Sequence, residues 1–154
     1  MACQSDIDVY FASKKQFEKY TSAIDRHIIE YGLNIHNKIV TENAITLDLK
    51  GPNGDQFKLQ LIKKNFYPDA QSVIDDFDIT VCQIAWDGSN LVVGKDFITD
   101  LKNKKLRFYK ISPQSHKRLV KYMSYGYEPD NQTFKELMLS SDIDWDKTGA
   151  DHYA

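Results

Sequence analysis

Cysteine is scarce. Only Cys3 and Cys82 occur in 154 residues, far apart and without a C-x-x-C spacing, which argues against a zinc ribbon, a redox pair or a disulfide scaffold. No run approaches the roughly 18 apolar residues of a membrane span. The opening residues, MACQSD, lack the charged and apolar regions of a secretory signal. A soluble, cytoplasmic protein with reduced thiols and no membrane partner is therefore expected. Excess positive charge is also missing. Twenty Lys and Arg stand against 22 Asp and Glu, for a net charge of -2, so any nucleic-acid contact must be local rather than driven by the field of the whole molecule.

What the chain does have is an ordinary globular composition, with 42% hydrophobic and 27% charged residues. At this length folding buries roughly two-thirds of the surface of the unfolded chain. Alternation of polar and apolar residues predicts a strand over 7–11, and strand alternation sends Asp6 and Asp8 to one face. Ser13 and Gln16 have capping-box spacing, and Phe17, Tyr20, Ile24, Ile28 and Tyr31 recur at helical intervals up to Gly32. One helix is predicted there. Segments 35–40, 44–49 and 57–62 read as a β-meander, the last two joined by the turn Gly51-Pro-Asn-Gly54. A short helix opening at Pro68 follows. The apolar run 79–86 reads as a strand pairing with 91–93, although periodicity alone leaves a buried helix open. Short elements are expected at 95–102 and 106–109, a basic amphipathic helix at 115–125 stopped by Gly126, and a last helical stretch at 133–139.

Two carboxylates two residues apart on a strand can hold divalent cations that bridge nucleotide phosphates. The same tetrapeptide, Ser5-Asp-Ile-Asp8, recurs as Ser141-Asp-Ile-Asp144, so the motif arises easily. The second copy extends to Asp146 like the start of an EF-hand loop, but it lacks glycine at the sixth position and glutamate at the twelfth. It reads as a solvated acidic tail. His27, His36, His116 and His152 show no metal-ligand spacing. No G-x-S-x-G occurs, and Cys82 lies in an apolar run that suits a buried, inert thiol. The only basic concentration, Lys102, Lys104, Lys105, Arg107, Lys110, Lys117, Arg118 and Lys121, is interleaved with Phe108, Tyr109, Tyr122, Tyr125 and Tyr127. It is either a phosphate-tracking patch with stacking rings or a solvated helix face over buried aromatics.

Taken in order, the D-x-D strand, helix, hairpin and Asp76-Phe-Asp-Ile-Thr-Val-Cys-Gln-Ile-Ala-Trp-Asp87 resemble the head domain of class II tRNA nucleotidyltransferases. These are the CCA-adding enzymes, and bacterial poly(A) polymerases are similar. That family has R-R-D-F-T-I-N-A-L-A-Y-D at the later segment, and Asp78, Thr80, Ala85 and Asp87 match it outright. Similarity continues through Asn90-Leu-Val-Val93, Asp100-Leu-Lys-Asn-Lys-Lys-Leu-Arg107 and Arg118-Leu-Val-Lys-Tyr122 to Gly126 and Tyr127. The chain also resembles small phage-encoded proteins of this type.

The resemblance implies an α+β fold with a mixed β-sheet flanked by helices. A nucleotidyltransferase, polymerase-beta-like core would span 1–111, and a helical neck-like segment with a polar tail 112–154. It implies Asp6 and Asp8 as catalytic ligands of Mg2+ or Mn2+. Asp78, Thr80, Arg118 and Lys121 would bind a nucleoside triphosphate, with RNA or a protein as acceptor. Departures from the pattern favour a second possibility, a catalytically degenerate module that binds a nucleotide, an RNA or a protein. Before Asp6 there is no glycine-serine turn to cradle phosphates, Lys58 and Gln60 stand where related polymerases place an acid, and Cys82 replaces an asparagine. The E-D-x-x-R segment that selects ATP or CTP has no counterpart, so CCA addition is not expected.

Overall fold

The computed structural model describes residues 6–140. Cys3, His152 and the acidic run from Asp142 to Asp146 lie outside the described residues. The chain forms two compact units, Met1–Pro68 and Asp69–Ala154, a division earlier than the 111/112 boundary drawn from the neck-like helix.

The first unit is a four-stranded sheet of order β1-β4-β3-β2 with two helices. The strands β2 (Asn34–Val40), β3 (Ala44–Lys50) and β4 (Gln56–Ile62) form the expected antiparallel meander, and β1 (Asp6–Val9) pairs in parallel with β4. The sheet is therefore mixed. At the β3–β4 turn Gly54 adopts a left-handed φ of 87°, which only glycine takes at little cost. Leu47, Leu49 and Leu61 are buried on one face with Phe11, Phe17 and Ile28.

Ser13 caps α1 (Lys14–Thr21): its hydroxyl accepts from the Gln16 N–H at 3.1 Å, while the Gln16 side chain accepts from the Ala12 N–H at 2.7 Å. The single predicted helix is in fact two, α1 and α2 (Ile24–Glu30). The Thr21 hydroxyl donates to the Phe17 carbonyl at 2.9 Å and that of Ser22 to the Lys19 carbonyl at 2.8 Å, a back-bonding that competes with the helical ladder and bends it. The break leaves Phe17, Ile24 and Ile28 on the core and turns Tyr20 and Tyr31 outward.

In the second unit Asp69 caps α3 (Ala70–Asp75). The run 79–86 is not one strand. Ile79 bridges Phe108, Thr80–Cys82 makes a 3-10 turn, and only β5 (Ile84–Trp86) pairs with β6 (Leu91–Val93) as a hairpin. After α4 (Phe97–Lys102), β7 (Lys105–Leu106) is shorter than the strand expected at 106–109 and pairs with β8 (Glu128–Pro129) beyond α5 (Ser115–Ser124). The last element is α6 (Asn131–Leu139), capped by Asp130. Ile79, Val81, Leu106, Phe108 and Leu137 form the second core.

The 3-10 turn has a polar reason. Thr80 is fully buried and donates its hydroxyl to the buried Asp100 carboxylate at 2.6 Å. Arg107 donates to the same carboxylate at 3.2 Å and also lies 3.7 Å from Asp96 and 3.5 Å from Asp130. Asp130 in turn accepts from the Thr133 N–H at 2.8 Å, and the Thr133 hydroxyl accepts from the Phe108 N–H at 2.9 Å. A buried carboxylate is tolerated because Thr80 and Arg107 both donate to it.

Two variants test the two cores. Leu47→Ala, at a fully buried position, is expected to lower unfolding free energy by about 2–5 kcal/mol in urea titrations. Thr80→Val keeps the shape but removes a donor from Asp100, and a loss of about 1–3 kcal/mol is expected by the same measurement.

Candidate functional site

The first unit places Asp6 and Asp8 on the sheet face opposite its apolar core. Register fixes their neighbours: Asp6 pairs with Lys58 and Asp8 with Gln60 on β4, which in turn pair with Asp48 and Thr46 on β3. Paired residues share a face. A transverse row Asp6, Lys58, Asp48, Asn37 results, beside a second row Asp8, Gln60, Thr46, Ile39. The Asn37 amide donates to the Asp48 carboxylate at 3.2 Å, next to a bulge at His36. Asp6 and Asp8 are exposed, yet the Asp8 carboxyl is pushed above its ordinary range, first by the loss of water around it and second by the charge of Asp6.

Whether these residues suit Mg2+ or Mn2+ can be judged from the donor set. Such ions take six oxygen ligands in near-octahedral geometry, and a two-ion centre needs several carboxylates around the pair. Among the described residues no group of three or more His, Cys, Asp or Glu could hold a metal. The register position between Asp6 and Asp48 is held by Lys58 rather than by a further acid. The residues present do not fit a two-ion transferase centre.

The second unit gathers Asp78 and Arg118 but not as open ligands. The Arg118 guanidinium donates to the Asp78 carboxylate, and its other nitrogen lies 3.5 Å from the Cys82 sulfur. Partial burial, the largest single effect, works against the arginine's charge, and Asp78, Cys82 and Tyr122 together more than offset it, so its pKa rises. Cys82 Sγ and the Tyr122 hydroxyl are 2.8 Å apart. Burial raises the Cys82 thiol, and burial followed by Cys82 raises the Tyr122 phenol, which makes Cys82 a protonated thiol rather than a nucleophile. The sequence marked Cys82 only as inert, and its contacts with residues 36 and 40 positions away along α5 carried no local signal. The Thr80 hydroxyl is committed to Asp100, whereas Lys121 is exposed on α5.

Lys102, Lys104, Lys105, Lys110, Lys117 and Lys121 of the basic concentration are exposed, and three of its members are ion-paired within the unit. Arg107 meets three aspartates, Lys110 pairs with Asp76 at 2.8 Å and Arg118 with Asp78. Lys104, at a left-handed φ of 54°, lies 4.8 Å over the Tyr127 ring. Tyr122 packs edge-on against both Tyr125 and Tyr127. The Tyr109 phenol, pushed up to about 12 first by burial and next by its bond to Asp96, stays neutral. Large apolar side chains are exposed on the hairpin: Trp86 and Leu91 form a cross-strand pair with 63% and 61% of their surface open, flanked by Ile84. No helix among the described residues is long and apolar enough to cross a membrane.

In structure the chain is similar to a CCA-adding enzyme in its apo form I, with a TM-score of 0.54 and 15% sequence identity. The match covers 88% of this chain and 33% of that one. The α+β class with a mixed sheet flanked by helices, expected from the sequence, is the fold observed, and it is nucleotidyltransferase-like. In sequence the chain is 28% identical over 144 residues to Gabija anti-defense 2 of Bacillus phage SPbetaL7. That alignment covers 88% of this chain and 32% of the phage protein, so the chain spans about a third of its relative's length. The model of the Gabija anti-defense 2 family matches residues 4–104. With more than half of its length matched, the chain belongs to the Gabija anti-defense 2 family.

Proposed function

We propose that this chain acts as a nucleotidyltransferase-fold module that binds a protein component of the Gabija defence named in its family, rather than as a transferase. The observation that carries the reading is the polar face of the first sheet, where Lys58 and Gln60 are the register partners of Asp6 and Asp8 and no group of three or more acids is gathered among the described residues. Fold alone does not establish activity. The exposed Trp86–Leu91 pair supplies what a protein interface needs, a rigid aromatic anchor with apolar neighbours. Such an inhibitor would work in the cytoplasm of the infected host, with a protein as its partner.

A second reading is a minimal nucleotidyltransferase in which Asp6 and Asp8 hold Mg2+ or Mn2+. Asp78, Thr80, Arg118 and Lys121 would then engage a nucleoside triphosphate, and RNA or a protein would accept the nucleotide. It draws support from Asp6 and Asp8 lying side by side on one face.

Phage plating on a host carrying Gabija separates the two. Under the binding reading Asp8→Ala protects phage as well as the wild type does, and neither protein transfers labelled nucleotide to RNA or to Gabija proteins with Mg2+ or Mn2+. Loss of protection in Asp8→Ala, with binding retained and a transfer that needs Asp8, would establish the enzyme instead. Trp86→Ala is expected to weaken binding to purified Gabija proteins by about 2 kcal/mol, roughly 30-fold in Kd by interferometry, with its melting temperature unchanged.

A further inference from the structure

We infer that the outer side of α5 binds single-stranded nucleic acid, with lysines along the phosphates and Tyr125 stacked on a base. Between Leu101 and Tyr127 the chain carries eight Lys and Arg and no Asp or Glu. Arg107, Lys110 and Arg118 are answered by aspartates of neighbouring elements. The other five, Lys102, Lys104, Lys105, Lys117 and Lys121, are exposed and enter no ion pair among the described residues. A local positive charge therefore remains on a chain whose net charge is -2, and local charge is what a phosphate backbone meets at contact distance.

The helix sets these groups in order. Leu119 and Tyr122 pack against the second core, while Lys117, Lys121 and Tyr125 follow one another at four-residue intervals on the exposed side of α5. Each interval advances by about 6 Å along the axis. Gly126, at a φ of 87°, ends the helix, and the Tyr127 N–H donates back to the Tyr122 carbonyl at 3.2 Å. The Tyr122 ring stands edge-on to both neighbours, its centroid 6.0 Å from that of Tyr125 and 5.8 Å from that of Tyr127, and Lys104 lies 4.8 Å over the Tyr127 ring. The rings are thus placed before any ligand arrives, and Tyr125 keeps 54% of its surface open. An acidic polypeptide would need the cations but not the open ring. A nucleic-acid strand uses both, because every base offers a π-face to a tyrosine whatever its sequence.

The test is fluorescence anisotropy of short labelled oligonucleotides with the full chain, at salt concentrations from about 50 to 200 mM. RNA and DNA strands of the same sequence and a DNA duplex are compared, and the RNA-to-DNA ratio identifies which single strand the site prefers. Saturable binding of a single strand that weakens with salt is expected. Lys117→Gln with Lys121→Gln should weaken it at least tenfold and lower the slope of log Kd against log salt by about 1.4, two contacts at about 0.7 each. Tyr125→Ala should weaken it about tenfold without changing that slope, and Tyr125→Phe should restore it. All four substitutions are at exposed positions, so melting temperatures should stay at the wild-type value. The site uses neither Trp86 nor Leu91, so Trp86→Ala should bind oligonucleotide like the wild type, and this result stands or falls apart from the capture of Gabija proteins. Absence of saturable binding at the lowest salt would overturn the inference. So would a duplex bound as tightly as the single strand, or displacement by polyglutamate at equal charge together with a silent Tyr125→Ala, which would make the surface a site for an acidic protein.

Discussion

In the first unit, parallel pairing of β1 with β4 aligns Ile7 and Val9 with Leu59 and Leu61, and the pleat then sends the residues between them to the other side. A shift of one residue would turn Asp6 and Asp8 into the leucine layer, at the cost of burying two carboxylates beside Leu47 and Leu61. Register is therefore held by the core, and the polar face follows from it. The composition of that face derives from this one constraint, which sets Lys58 opposite Asp6 and Gln60 opposite Asp8.

The second unit solves a different problem by polar means. Asp100 is buried, and the chain satisfies it with Thr80 from twenty residues earlier and Arg107 from seven residues later. Arg107 extends the network to Asp130, which caps α6, and the Thr133 hydroxyl on that helix receives the Phe108 N–H. A network of this kind is sensitive to each member, because removing one donor leaves another group buried and unpaired. Thr80 and Arg118, expected from the sequence resemblance to bind a nucleotide, are both already engaged by carboxylates of the same unit.

Local signals carried much of the fold. Alternation identified the meander and the D-x-D strand, and Gly32, Gly54 and Gly126, all at positive φ, marked the ends of elements. Periodicity could not see the break after Thr21, because it depends on hydroxyls choosing carbonyls behind them rather than on apolar spacing. Nor could it see the 3-10 turn in 79–86, which serves a carboxylate three elements further along the chain. The relation of Lys58 to Asp6 required knowing that β1 joins β4, a pairing between segments some fifty residues apart that no local pattern specifies. The sequence showed an acid missing from β4, while only the register showed what its replacement sits between.

The family pattern ends at residue 104, while the second core is closed by Leu106, Phe108 and Leu137. The alignment with the phage relative spans 144 residues and 88% of this chain, so likeness in sequence reaches past the end of the family pattern. Beyond residue 104 the second unit needs those three apolar volumes, Arg107 on the buried Asp100, Asp130 at the head of α6 and Thr133 on the Phe108 N–H, and most exposed side chains there are open to change. Divergence at such exposed positions would alter the surface without loosening the scaffold.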